Sequence, residues 1–359
     1  MPGYEVFATR WDDPHVVEQI PWSGLEFTLP LSDHGECSFS ATVVPGSTWR
    51  PALSVAMSGI LVTRDEVPVW SGMLQPESQS GPRTFDFKAI EWGAFFETCP
   101  AVPYTYTGWN DHALFRDLIA QAEAVAGQNP GITLLDSSGA RKSDLLITPW
   151  DTTTVEEQFR RLGEAQGGPE WYFAATGTLD APTRTLMLAD RHGRTTPQAV
   201  LEYVEDTGQG YRGGNVFGHP GRQQAVGYTA TLAVGAGDEV SQMRATASSV
   251  DLLAAGYPRR TKVGTYTDVT IPATLLRHAE ADLAAERGMT TSYTFTTFED
   301  DPDWTQLARG DNVRVELDTD VYGTERPLVF NTRILDMAVA VPDDGPAQVK
   351  YTTSDVRDY

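Results

Sequence analysis

Glu91 and Glu97 flank the aromatic stretch WGAFF, an arrangement that invites comparison with the paired carboxylates of acid–base catalysis. Such a pair needs contrasting environments, one group holding its proton while the other stays ionised. Both glutamates fall at the end of a strand pattern in a strongly acidic chain, so solvated carboxylates are the expectation. Cys99, beside Pro100, is the one candidate nucleophile; with no relay of His and acid near it in sequence, a buried small apolar side chain is expected. Glu299, Asp300, Asp301 and Asp303 gather the hard oxygen ligands that calcium favours. The run lacks the glycine of an EF-hand turn, which makes it an exposed loop instead. His15, His34, His112, His192, His219 and His278 are scattered, without HExxH or paired-His spacing. There is no GxSxG elbow, phosphate-binding loop or dinucleotide fingerprint. Nine tryptophans offer stacking faces for sugars, but Trp70, Trp92 and Trp171 lie inside strand or turn patterns and read as core or interface. The sequence thus assigns no catalytic, cofactor-binding or metal-ligating residue. It points away from an enzyme.

The surroundings agree. At 359 residues the chain is long enough for two or three domains, and 40% hydrophobic content supplies their cores. A net charge of -22 repels nucleic-acid backbone and anionic lipid, so neither is an expected ligand. Two cysteines make no disulfide framework. Only four of the 27 basic residues are lysines: Lys88, Lys142, Lys262 and Lys350. No secretory signal and no membrane-spanning run is visible, so synthesis in the cytoplasm is expected.

Up to about Pro100 the pattern has period two, through LEFTLPL, CSFSATVV, SVAMSGILVT, VPVWSGML and RTFDFKAIEW. Within it, Arg64, Asp65 and Glu66 form the turn of a hairpin. Pro68 predicts an edge or a bulge, and Gly72 a bend. From Ala101 to Asn215 the period changes. NDHALFRDLIAQAEAVAG is a helix with an Asn/Asp cap, and Leu114, Phe115, Leu118, Ile119 and Ala122 share one face. TTTVEEQFRRLGEAQGG is a second helix, with Thr153 and Glu156 read as its capping box. Short strands around the two give an α+β module. The remainder is β-rich, interrupted by one helix near Pro272 to Arg287 with Leu275, Ala279 and Leu283 on a face and Gly288 after it.

An internal echo ties the ends together. SGILVTRD, PVWSGMLQPES, a Gly81-Pro82 turn and TFDFKAIEW recur in order as NVRVELDTD, PLVFNTRILDMAVAV, a Gly345-Pro346 turn and QVKYTTSDV. The expected fold is therefore mainly β with an α+β insert: two β-barrels flanking a small α+β module. Its divisions are 1–100, first barrel; 101–215, module; and 216–359, second barrel with one inserted helix.

This order of patterns resembles the baseplate or tail-tip hub proteins of tailed bacteriophages, the minor tail proteins of phages of GC-rich hosts. VPVWSGML with FDFKAIEWGAFFETCP carries the resemblance, as do RRLGEAQGGPEWYF, AAGYPRRTKV, LARGDNVRVEL and RILDMAVAV. It covers nearly the whole chain. The resemblance implies a structural virion protein without cofactor, a homotrimer whose two tail-tube-like β-barrels per chain close a ring at the end of the tail tube. Implied partners are the distal tail and tube proteins, the tape-measure protein and tip or fibre proteins, with DNA only passing through. Part of the acidity, drawn from residues such as Asp65, Glu66, Asp318 and Asp320, is expected to face that channel. The alternative reading is a tail-associated carbohydrate-binding or wall-degrading protein.

Overall fold

LEFTLPL buries Leu25, Phe27 and Leu29 and turns Glu26 and Thr28 outward, and the same alternation recurs along ECSFSAT. Period-two burial is what an antiparallel sheet with one face on a core requires. The computed structural model describes residues 3–357 apart from 56, 138, 151, 165–166, 206–212, 238–240, 267–268, 270, 288, 319–326 and 355. Gly288 and Asp320 lie outside the described residues.

The first segment holds β1 (Tyr4–Arg10), β2 (Val16–Ile20), β3 (Ser23–Pro30), β4 (Glu36–Thr42), α1 (Trp49–Ala52), β5 (Ser58–Arg64), β6 (Val67–Leu74), β7 (Ser78–Gln79) and β8 (Thr84–Glu91). A 3-10 helix over Trp92–Thr98 leads to the middle segment. There β9 (Tyr104–Asn110), α2 (Asp111–Glu123), β10 (Ile132–Asp136), β11 (Lys142–Ile147), α3 (Val155–Glu164), β12 (Glu170–Gly177) and β13 (Pro182–Ala189) enclose a core of Leu114, Phe115, Leu118, Phe159, Trp171 and Phe173. Then follow β14 (Val200–Val204), β15 (Gly221–Val226), β16 (Ala230–Val234), β17 (Arg244–Ser248), α4 (Val250–Ala254), β18 (Thr261–Thr265), α5 (Pro272–Glu286), β19 (Met289–Phe298), β20 (Asn312–Asp318), β21 (Leu328–Val341), β22 (Gln348–Thr353) and β23 (Val356–Arg357).

Two compact units divide the chain. One comprises Met1–Pro220 and Thr294–Thr353, the other Gly221–Tyr293 and Ser354–Tyr359. In the second, β16 lies between β17 and β18, and Leu275, Ala279 and Leu283 of α5 pack with Ala233 and Ala247.

In the first unit the echo corresponds to two antiparallel meanders, β5–β6–β8 and β20–β21–β22. They do not close as two separate barrels. Six registered pairs, among them Phe27↔Val339, join β3 to β21, so both ends of the chain share one sheet. Within this unit its path runs from the Thr294–Phe298 part of β19 through β22–β21–β3–β4–β8–β6–β5–β1–β2, and among the described residues it stays open.

Local geometry follows the residues. Asp65 and Glu66 both have positive φ, 52° and 66°, and Arg64 pairs with Val67, so the hairpin closes in two residues. Positive φ at both centres is the twist-matched turn of an antiparallel pair, and it is strained for side chains bearing Cβ. Glu66→Gly is expected to raise stability by about 0.5–1 kcal/mol after the entropy of a freer unfolded chain is subtracted. Urea unfolding measures it; a loss of stability would contradict the left-handed turn. Pro68 does lie beside a register shift, Val62 pairing Trp70 and Thr63 pairing Pro68. Gly72 is required by close approach: a Cβ there would come within 2.2 Å of the Ile90 carbonyl oxygen. The capping box of α3 sits one residue later than the sequence reading places it. Glu157 N–H donates to Thr154 Oγ1 at 3.2 Å, and Thr154 N–H donates to Glu157 Oε2 at 2.8 Å. TTT and EE fit either register by spacing alone, and Glu156 is instead drawn inward toward His34.

Candidate functional site

The outward side chains of β3, β4, β8, β21 and β22 form one wall, and a groove of about 740 Å³ runs along it. Alternation places polar groups there: Glu26, Thr28, Glu36, Ser38, Lys88 and Lys350 line it. Two of the four lysines thus share the groove with two glutamates, and its lining has no excess of acid. Asp65 and Glu66 are exposed at the β5–β6 turn, and Asp318 is half-buried at the end of β20. This wall offers an extended polar surface and no convergent catalytic group.

Buried ion pairs hold the wall to its surroundings. Arg309 Nη2 donates to Glu91 Oε1 at 2.6 Å, while Gly35 N–H donates to Oε2 at 2.8 Å and Arg309 stacks over Tyr172. Burial pushes the Glu91 carboxyl up, and Arg309 and the Gly35 amide draw it back only partly. Arg184 lies 3.6 Å over the Trp92 ring and donates to the carbonyls of Trp11, Pro130 and Asp13 at 2.5, 2.6 and 3.2 Å, and to that of Arg10. Burial draws its guanidinium down to about 9, still protonated at neutral pH. Arg64 collects the acidic run: it pairs with Asp300 and Asp303 at 2.9 Å and approaches Glu299, which also accepts from Tyr4.

Structure therefore separates the residues singled out in the sequence. Glu91 belongs to the Arg309 pair and Glu97 to a different group, so the two form no shared acid–base site. Cys99 is fully buried, and burial raises its thiol. Glu299, Asp300 and Asp303 face an arginine, the wrong neighbour for a calcium loop. Trp70, Trp92 and Trp171 are core. A cluster the sequence does not reveal is His34, Glu97 and Glu156, whose ligand atoms all lie within 4.8 Å of one another. They come from three distant stretches, and only the fold joins them.

Two carboxylates give this fold a pH handle. Burial alone would raise Asp303 and Asp311. Hydrogen bonds from Thr305 and Arg64 to the first, and from Arg194 and the Ala308 amide to the second, hold both below the usual range. A carboxylate depressed on folding stabilises fully above its unfolded pKa, about 4, and the contribution is lost as pH falls through the folded value. Glu91, Glu97, Glu123 and Asp336 shift upward and act with the opposite sign, so the readable quantity is a difference. Asp311→Asn is expected to be less stable than the parent at pH 7, with the gap closing below about pH 4. A gap constant from pH 7 to pH 3 in urea titrations would refute it.

No protein-family model and no curated protein matches this sequence. Solved structures do match. The tail protein from Neisseria meningitidis MC58 superposes with a TM-score of 0.63 at 15% identity, covering 98% of this chain and 96% of that one. The 43 kDa tail protein of prophage MuSo2 from Shewanella oneidensis gives 0.64 at 13%, over 98% of each chain. The E. coli c3393 protein, a component of the type VI secretion system, gives 0.52 at 10%, over 98% of this chain and 77% of its own. At these identities the likeness is one of fold. The chain shares its mainly β fold with these proteins over nearly its whole length.

Proposed function

We propose that this chain is a structural virion protein, the hub that closes the end of a phage tail tube, joins it to tip or fibre proteins and lets DNA pass at ejection. The observation that carries the reading is the single sheet built from both ends of the chain, in a fold shared over nearly its whole length with solved tail proteins. In this reading residues 1–100 and 216–359 supply two tube-like β parts around the 101–215 module. One chain leaves its sheet open at β2, and neighbouring copies would cover such edges. Three copies give six similar parts, a ring suited to a sixfold tube. Distal tail, tube and tape-measure proteins are its partners above, tip or fibre proteins below.

DNA in this scheme is a passing polymer. Lysine and arginine contacts to phosphate would add affinity through counterion release and stall it, whereas an acidic chain repels the backbone. The protein acts without chemistry of its own. A reconstruction of the intact particle tests the proposal: three copies in a ring at the tube end are expected, with a negative bore. One or six copies at that level, or a neutral or positive bore, would overturn the trimer or the channel reading respectively.

A further inference from the structure

We infer that His34, Glu97 and Glu156 bind one divalent transition-metal ion of the zinc class, at the place where the loop after β3 meets the 3-10 helix and α3. The cluster has one nitrogen and two carboxylate donors within 4.8 Å of one another. His34 supplies the independent observation. Its side chain is 3% exposed, and neither ring nitrogen has a hydrogen-bond partner. A buried imidazole without a hydrogen bond forfeits those water would give it, and such groups need an explanation.

The ring is held in place by its surroundings. Ser32 N–H donates to the Trp171 carbonyl at 2.7 Å, Gly35 N–H to Glu91 at 2.8 Å, and the ring packs against Trp171 with centroids 5.2 Å apart. Gly93 leaves the space, since a Cβ there would lie 2.4 Å from the imidazole. Nε2 consequently points at Glu156 Oε1 from 3.5 Å. Tetrahedral coordination with bonds of about 2.1 Å has ligand–ligand edges of about 3.4 Å. The observed separation is long for a hydrogen bond and right for such an edge.

Charge and donor type agree. Two carboxylates neutralise a dication, and an imidazole donor selects zinc-class ions over calcium or magnesium. Arg160 Nε now occupies Glu156 Oε1 at 2.8 Å, but its guanidinium is half-exposed and has Asp33 within 3.5 Å as a second partner. It can yield the oxygen or remain as an outer hydrogen bond to the ligand. A bound ion would tie the first sheet's loop to the middle segment.

Full-length protein, stripped with EDTA and dialysed, is titrated with Zn²⁺ by calorimetry and with Co²⁺ in the visible. Expected are one equivalent bound, a higher melting temperature with Zn²⁺, four-coordinate Co²⁺ bands, and no competition from millimolar Ca²⁺. Glu97→Gln, at an exposed position, should weaken binding at least tenfold without lowering metal-free melting. His34→Ala should abolish it. Failure of the parent to bind a stoichiometric ion, or parent-like binding by Glu97→Gln, overturns the site.

Discussion

Arg184→Ala is expected to cost about 3–5 kcal/mol, the largest single loss in the first unit. The side chain donates to four backbone carbonyls, on the β1–β2 connection and at Pro130, and its guanidinium covers the Trp92 ring. Each of the four carbonyls loses a charge-assisted hydrogen bond, that of Asp13 keeping only the Arg10 N–H at 3.1 Å, and the stacked ring loses its cover. Arg184→Met should be nearly as damaging, because it restores volume and no donor. Arg314→Ala is the control: its pair with Glu316 is exposed, so about 0.5 kcal/mol or less is expected. Chemical unfolding of the three variants measures these values. An Arg184→Ala loss below about 1 kcal/mol would mean that the carbonyls are satisfied by other means.

Arg309→Met comes second, and for a different reason. It strands the Glu91 charge at a site where both partners are almost wholly buried. Removing one member of a buried pair costs about 3–5 kcal/mol, whereas replacing both by apolar groups is often neutral. Glu91→Leu combined with Arg309→Met should therefore recover most of the loss, a coupling that a double-mutant cycle reads directly. In Arg309→Met alone, burial and the nearby Asp336 charge push Glu91 up, and the Gly35 amide is left to oppose them. A carboxyl raised on folding takes up its proton more readily in the fold, so this variant should gain stability as pH falls from 7 toward 5. Additive single losses in the double variant would disprove the pairing.

How much of this was legible follows the range of each signal. The faces of α2 and α3 are local, 3.6-residue patterns, and Leu114, Leu118, Phe159 and Leu162 are buried as their spacing requires. The hairpin at Asp65 and the bulge at Pro68 are likewise written in neighbouring residues. β1 was hidden because YEVFATR is buried on both faces from Val6 to Thr9, leaving no alternation to read. The echo is true of the meanders, yet whether a meander closes on itself or joins another depends on β3 meeting β21. Nothing around Phe27 announces Val339. The same holds for Arg184, Arg309 and the His34 cluster, where single residues from separate stretches converge and no spacing rule applies.

The pairing of β3 with β21 also sets a timetable for synthesis. Phe27 leaves the ribosome some 300 residues before its partner Val339 exists. At about 5–20 residues per second, that is a wait of roughly 15–60 seconds. Throughout it, β3 presents an unpaired edge, and a contact of such long sequence separation forms slowly even once both strands are present. A nascent chain of this design depends on that edge being kept from other chains until β21 emerges. Chains released before residue 328 should therefore accumulate as aggregates, while full-length chains made in the same cells remain in solution.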